Sequence, residues 1–184
     1  MESPDLAAPA QDAGGERREF IRASLKRFEA PLMGYALSLT GELESARDAV
    51  QDSFLRLCKQ PPGAVDDHLA QWLFTVCRNR ILEMRRKDHR MTALTDMELE
   101  HRASPDPTPA EAADTRDRAN RVDELLAALP PNQREVIRLK FQHQLSYQEI
   151  AQVTSLSVTN VGFLLHTALR TLRSRMERIE RLPA

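Results

Sequence analysis

SYQEIAQVTSLSVTNVGFLLHTALRTLR, Ser146 to Arg173, reads as two helices joined by a tight turn. Ser146 stands three residues before Glu149, the spacing of a capping box that opens a short first helix. Ile150, Ala151 and Val153 supply its apolar side. Thr154-Ser155-Leu156 breaks the pattern, and Ser157 opens a second helix as its N-cap. Val158, Val161, Leu165, Ala168 and Leu172 then recur at spacings of three and four, one apolar stripe. A short capped helix, a turn and a longer second helix make the pattern of a helix-turn-helix. In that motif the N-terminal residues of the second helix meet base edges in the DNA major groove. Here they are Ser157, Thr159 and Asn160. An ordinary helical hairpin would share the same apolar pattern, so the rest of the chain has to supply the context.

Outward from this stretch, composition sets limits. A length of 184 residues suits one domain or two small ones. Six glycines and few β-branched runs point to an all-α protein. The net charge of −1 means that any surface suited to nucleic acid is local. Cys58 and Cys77, the two cysteines, lack CxxC spacing and both fall on or beside apolar helix positions, which predicts core packing. No apolar run approaches membrane-spanning length, and Met1 to Gly15 lacks the basic start of a signal peptide. A cytoplasmic protein without membrane insertion is expected.

Residues 1–15 read as a disordered tail. Ile21, Leu25, Phe28, Leu32, Tyr35 and Leu39 then mark a helix to Thr40, with a kink or break expected at Pro31 and Gly41 as C-cap. The next helix spans residues 43–59. Ala46, Ala49, Val50, Phe54 and Leu57 form its buried side, and Arg47, Asp48, Gln51, Asp52 and Arg56 its polar face. Pro61-Pro62-Gly63 stops it. A third helix, residues 66–88, carries the apolar stripe Leu69, Trp72, Leu73, Val76, Cys77, Ile81 and Met84. Its end is basic: Arg78, Asn79, Arg80, Arg85, Arg86, Lys87 and then Arg90, a pattern suited to phosphates and unpaired bases, although a solvated face has the same composition.

Residues 91–117 turn acidic, and the run from Ser104 to Pro109 contains too much proline for a helix. They read as a flexible linker. The fold expected is therefore two small helical domains, residues 16–90 and 118–182, with the helix-turn-helix in the second. In that domain Val122, Leu125, Leu126 and Leu129 form one helix, and Pro131 or Asn132 opens another with Val136, Ile137, Leu139 and Phe141 inside.

No pattern for catalysis, metal or cofactor emerges. His68, His89, His101, His143 and His166 include no pair at i, i+4, and neither a phosphate loop nor GxSxG occurs. His166 falls near the apolar stripe, where packing or capping suits it.

Several segments resemble the bacterial RNA polymerase sigma factors of the sigma-70 family, extracytoplasmic-function (ECF) group. ARDAVQDSFLRL (46–57) is similar to the family's region 2 segment that docks on polymerase. HLAQWLFTVCRNRILEMRRKDHR (68–90) is similar to the helix that opens and reads the −10 element. LLAALPPNQREVIRLKFQHQLSYQEIAQV (125–153), with the helix after it, is similar to region 4, which reads the −35 element. The resemblance implies a sigma factor, not an enzyme, that binds core RNA polymerase at its β′ clamp and β flap and helps to open promoter DNA. Asp48, Gln51, Asp52, Phe54 and Arg56 would then face polymerase. Arg78, Asn79, Arg85, Arg86, Lys87, Ser157, Thr159, Asn160, Arg170 and Arg173 would face DNA. An anti-sigma factor is implied as a regulator. A stand-alone helix-turn-helix regulator is the alternative, in which only the second domain meets DNA.

One departure from the family is plain. Members often carry Lys or Arg after the position of Val161, where this chain has Gly162, Phe163, Leu164, Thr167 and Leu169. Fewer cations mean fewer phosphate contacts. Upstream binding is expected to be weak, unusual in sequence, or helped by a partner that covers Phe163 and Leu164.

Overall fold

The computed structural model describes residues 10–92 and 124–180, and side chains within 14–87 and 124–178. The chain divides into two compact units, Met1–Glu100 and His101–Ala184. Their boundary falls inside the acidic stretch read as a linker, of which only Met91 and Thr92, both helical, are described. All regular structure among the described residues is helical.

The first unit packs three helices on one another: α1 (Ala10–Thr40), α2 (Leu43–Cys58) and α3 (Leu69–Thr92). Ser24, Phe28, Leu32, Tyr35 and Ala36 form the buried stripe of α1. Pro31 lies inside α1 and does not break it, contrary to the sequence expectation. The ring removes the donor to the carbonyl of Arg27, an exposed residue. Buried Phe28 and Leu32 on either side hold the helix through the interruption. Helix also extends back to Ala10, so residues 10–15 depart from the expected tail. Gly41 closes α1 at φ 73°, its N–H donating to the Leu37 carbonyl at 2.8 Å.

Ala46, Ala49, Val50, Ser53, Phe54 and Leu57 are the buried residues of α2. On α3 the buried residues are Leu73, Phe74, Cys77 and Ile81. Phe74 therefore replaces Trp72 at the centre; its ring meets Tyr35 edge-on at 5.1 Å, and Trp72 stays partly exposed. Cys77 is buried as expected, whereas Cys58 is exposed at the end of α2.

Two arginines finish helices in this unit. Arg17 Nη2 donates to the carbonyls of Leu57 (2.7 Å) and Gln60 (2.8 Å), just where α2 ends. Arg85 Nη2 donates to the carbonyl of Leu39 in the last turn of α1. The Leu39 and Leu57 carbonyls lie in last helical turns, where no donor is available within the helix itself.

The second unit contains a helical turn at residues 124–127, then α4 (Pro131–Phe141), α5 (Tyr147–Thr154) and α6 (Val158–Glu180). Pro131 takes the first position of α4, where its missing N–H costs nothing. Leu126, Leu129, Val136, Ile137, Leu139, Leu145, Ile150, Val153, Val161, Leu165 and Ala168 make the core. Phe141, expected inside, is 58% exposed, because α4 turns its last residue outward. Arg134 Nη2 ties α4 to the preceding turn through the carbonyls of Ala127 (2.7 Å) and Leu129 (3.1 Å).

Candidate nucleic-acid and polymerase interfaces

The helix-turn-helix is assembled by local hydrogen bonds that the sequence already spells. The Glu149 N–H donates to Ser146 Oγ at 3.2 Å, and the Ser146 N–H donates to Glu149 Oε2 at 2.7 Å. A cap of this kind contributes about 1 kcal/mol. Ser155 then adopts the left-handed conformation at φ 59°, and Leu156 N–H returns to the Ala151 carbonyl at 3.1 Å. Ser157 Oγ accepts from Asn160 N–H at 3.2 Å and starts α6. In front of α5, Lys140 Nζ donates to the Leu145 carbonyl (3.2 Å) and lies 5.5 Å from the centre of the Tyr147 ring. The turn into the motif is thereby pinned.

The buried stripe of α6 is Val161, Leu165 and Ala168, with Leu172 partly covered; Val158, expected in it, is exposed. At about 100° per residue, Thr159, Phe163, His166, Arg170 and Arg173 share an arc of roughly 80° on the opposite side. All five are exposed. Ser157 and Asn160 are exposed at the leading end. His166 thus faces outward, against the expectation of a packing or capping role.

On α2 the expected docking residues separate. Asp48 and Gln51 are exposed, and Asp52 and Arg56 are partly buried. Phe54 is 7% exposed and lies on the opposite side of the helix, packed into the core away from the other four. Arg56 Nε is 2.8 Å from Asp52 Oδ2, and its Nη2 is 3.8 Å from Glu83 on α3. These pairs, partly open to water, contribute little stability but fix the direction of both side chains. Sequence reading missed Leu55. It is 53% exposed and one turn from both Gln51 and Asp52, an apolar centre for a polar face. Its spacing from those residues was the available signal.

The basic end of α3 is not one surface. Arg78 and Arg85 share one side, beside the packed face. Asn79 and Arg86 lie about 100° around the helix, and Lys87 about as far again. Asn79, Arg86 and Lys87 are exposed, Arg78 is partly buried, and Arg85 is engaged with Leu39. The side chain of Arg90 lies outside the described residues.

Burial also silences two reactive groups. It pushes the Cys77 thiol up to about 12, against a smaller opposing effect of the hydrogen bond with Ser53. Burial, helped by the positive charge of Arg138, pulls His143 down to about 4. Both are neutral near pH 7. Among the described residues no group of three His, Cys, Asp or Glu side chains could hold a metal ion, and no helix is long and apolar enough to cross a membrane.

Residues 25–91 match the family model described as Sigma-70 region 2, and residues 119–172 match Sigma-70, region 4. The chain is 31% identical over 176 residues to the ECF RNA polymerase sigma factor SigL of Mycobacterium tuberculosis, covering 94% of this chain and 97% of SigL. It belongs to the ECF RNA polymerase sigma factors of the sigma-70 family. RNA polymerase sigma factor YlaC of Bacillus subtilis is 24% identical, over 88% of this chain and 94% of YlaC. In fold, this sigma factor is similar to the sigma factor RpoE of Bartonella quintana, solved with the anti-sigma factor NepR, at a TM-score of 0.68. That match has 23% identity and covers 86% of this chain and 98% of RpoE. CnrH, solved with the cytosolic domain of CnrY, matches at 0.58 with 25% identity, over 92% of this chain and 94% of CnrH. As a sigma factor, the chain directs RNA polymerase to promoters.

Proposed function

We propose that the two units divide promoter recognition between them, residues 16–90 acting at the polymerase clamp and the −10 element and residues 118–182 at the −35 element and the β flap. The observation that carries this reading is the doubly capped helix-turn-helix, with Ser157, Thr159 and Asn160 exposed at the leading end of α6. The open face of α2, Asp48, Gln51, Asp52 and Leu55, docks on core polymerase. Charge on its rim steers association and Leu55 supplies a buried contact. Arg86, Lys87 and Asn79 hold the strand displaced when DNA opens, with Arg78 supporting them. Arg170 and Arg173 contact phosphates beside the groove that α6 enters.

On this reading the protein works in the cytoplasm and contributes no catalysis of its own. Polymerase performs the chemistry, and the sigma factor sets where it begins. An anti-sigma factor restrains it, a reading supported by the partners named for RpoE and CnrH. The stand-alone regulator would leave the α2 face without a use. Reconstitution with core polymerase, followed by run-off transcription from a promoter library, tests the proposal. Specific start sites that require the protein are expected. Failure to bind core polymerase would sink it.

A further inference from the structure

One residue on the outward arc of α6 is used neither by the core nor by phosphate contacts. Phe163 is 65% exposed. Its neighbours on that arc, Thr159, His166, Arg170 and Arg173, are polar or cationic. Among the described side chains, the other exposed large apolar residues of α6, Val158, Leu169 and Met176, lie roughly 120–140° from Phe163 around the helix. Phe163 is therefore a lone aromatic ring in a strip whose charge suits phosphates, not part of a wide apolar patch of the kind that a protein partner buries.

Its position along the helix is equally specific. With Ser157 as N-cap, Asn160 is the third helical residue and Phe163 the sixth. Both lie within the first two turns of α6, the end from which the second helix of a helix-turn-helix meets base edges. Asparagine pairs with adenine through its amide, whereas an aromatic side chain offers no hydrogen bond and meets the methyl group that thymine alone displays in the major groove.

We propose that Phe163 reads thymine methyl groups in the upstream promoter element. The inference rests on the reading of α6 as the groove helix. It also gives the low charge of this helix a purpose: recognition shifts from phosphate attraction to apolar contact, so affinity falls while base preference remains.

The test uses holoenzyme assembled from the full chain and core polymerase. Duplexes are first selected from a library randomised over the upstream element. Each thymine of the selected sequence is then replaced in turn by deoxyuridine, which removes only the methyl group. Loss of one buried methyl contact is expected to weaken wild-type binding about threefold to fivefold at one or two positions. Phe163→Ala holoenzyme should bind the thymine and deoxyuridine duplexes equally at those positions. Phe163 is exposed, so the variant should fold, which unfolding temperature checks. Arg170→Ala, in contrast, should weaken both duplexes alike. Indifference of wild type to every replacement would overturn the proposal, as would an unchanged methyl preference in Phe163→Ala; either result leaves Phe163 to a protein partner. If the selection yields no upstream sequence at all, the groove reading of α6 falls with it.

Discussion

Arg85 on α3 donates a hydrogen bond to the main-chain carbonyl of Leu39 at the end of α1. An arginine that composition alone would assign to DNA is therefore also a structural tie between two helices. The tie satisfies a carbonyl that α1 cannot satisfy itself, and it draws the guanidinium toward the packed face.

Arg85 and its neighbour should consequently behave differently. Arg85→Ala should destabilise the first unit by about 1 kcal/mol, seen as a lower unfolding temperature. Arg86→Ala should leave that temperature unchanged and reduce open-complex formation, read by permanganate reactivity of unpaired thymines, with core affinity preserved. Equal effects of the two changes on stability would remove the tie from the account.

Leu55 supplies the cleanest probe of docking. Leu55→Ala removes apolar surface that is already exposed, so the fold should keep its stability. Core polymerase affinity should fall about tenfold, equivalent to roughly 1.4 kcal/mol. Anisotropy titration of labelled protein with core polymerase measures it. Asp52→Arg should also weaken docking, but it breaks the contact with Arg56, and its effect mixes two causes. Retained affinity in Leu55→Ala would place docking elsewhere.

Gly162 is helical, and a Cβ there would meet only the Tyr147 ring, at 3.7 Å, an ordinary contact. Gly162→Ala should therefore raise helix stability by about 0.5–1 kcal/mol. A higher unfolding temperature with an unchanged promoter preference is the expected result. A loss of stability would mean that the Tyr147 ring cannot accommodate the methyl group.

His143 gives the second unit a pH dependence. Its folded value near 4 lies below the ordinary 6.5, so the unfolded chain takes up the proton first as pH falls. Stability is full above about pH 6.5 and declines between there and about pH 4, by about 2 kcal/mol after allowance for partial exposure. Unfolding measured between pH 7 and 4.5 should show this slope, and His143→Gln should flatten it.

Much of this architecture was legible because it rests on local rules. The Ser146–Glu149 box, the Ser157 cap, the Gly41 stop and the period of the core stripes each depend on residues a few positions apart. What escaped depends on distant ones. Pro31 reads as a breaker unless the packing of Phe28 and Leu32 is known. Arg17 and Arg85 show no signal for carbonyls 40 and 46 residues away. Phe74, rather than Trp72, meets the Tyr35 ring, a partner on a different helix that the period of α3 alone does not reveal. At the site, periodicity already placed Phe54 on the buried side, and only the family resemblance turned it toward polymerase; what the sequence reading passed over is Leu55 facing outward and the basic run winding around α3 instead of forming one face.

Arg17 carries a consequence for the start of the chain. Its guanidinium holds the carbonyls on both sides of the point where α2 gives way to the Pro61-Pro62-Gly63 loop. The first turns of α1 thus act as a latch on a loop far along the sequence. Proteolytic trimming that removed Arg17 would spare every residue assigned to polymerase or promoter, yet it would release the end of α2. In this sigma factor, the amino-terminal helix braces the segment that leads from α2 to α3.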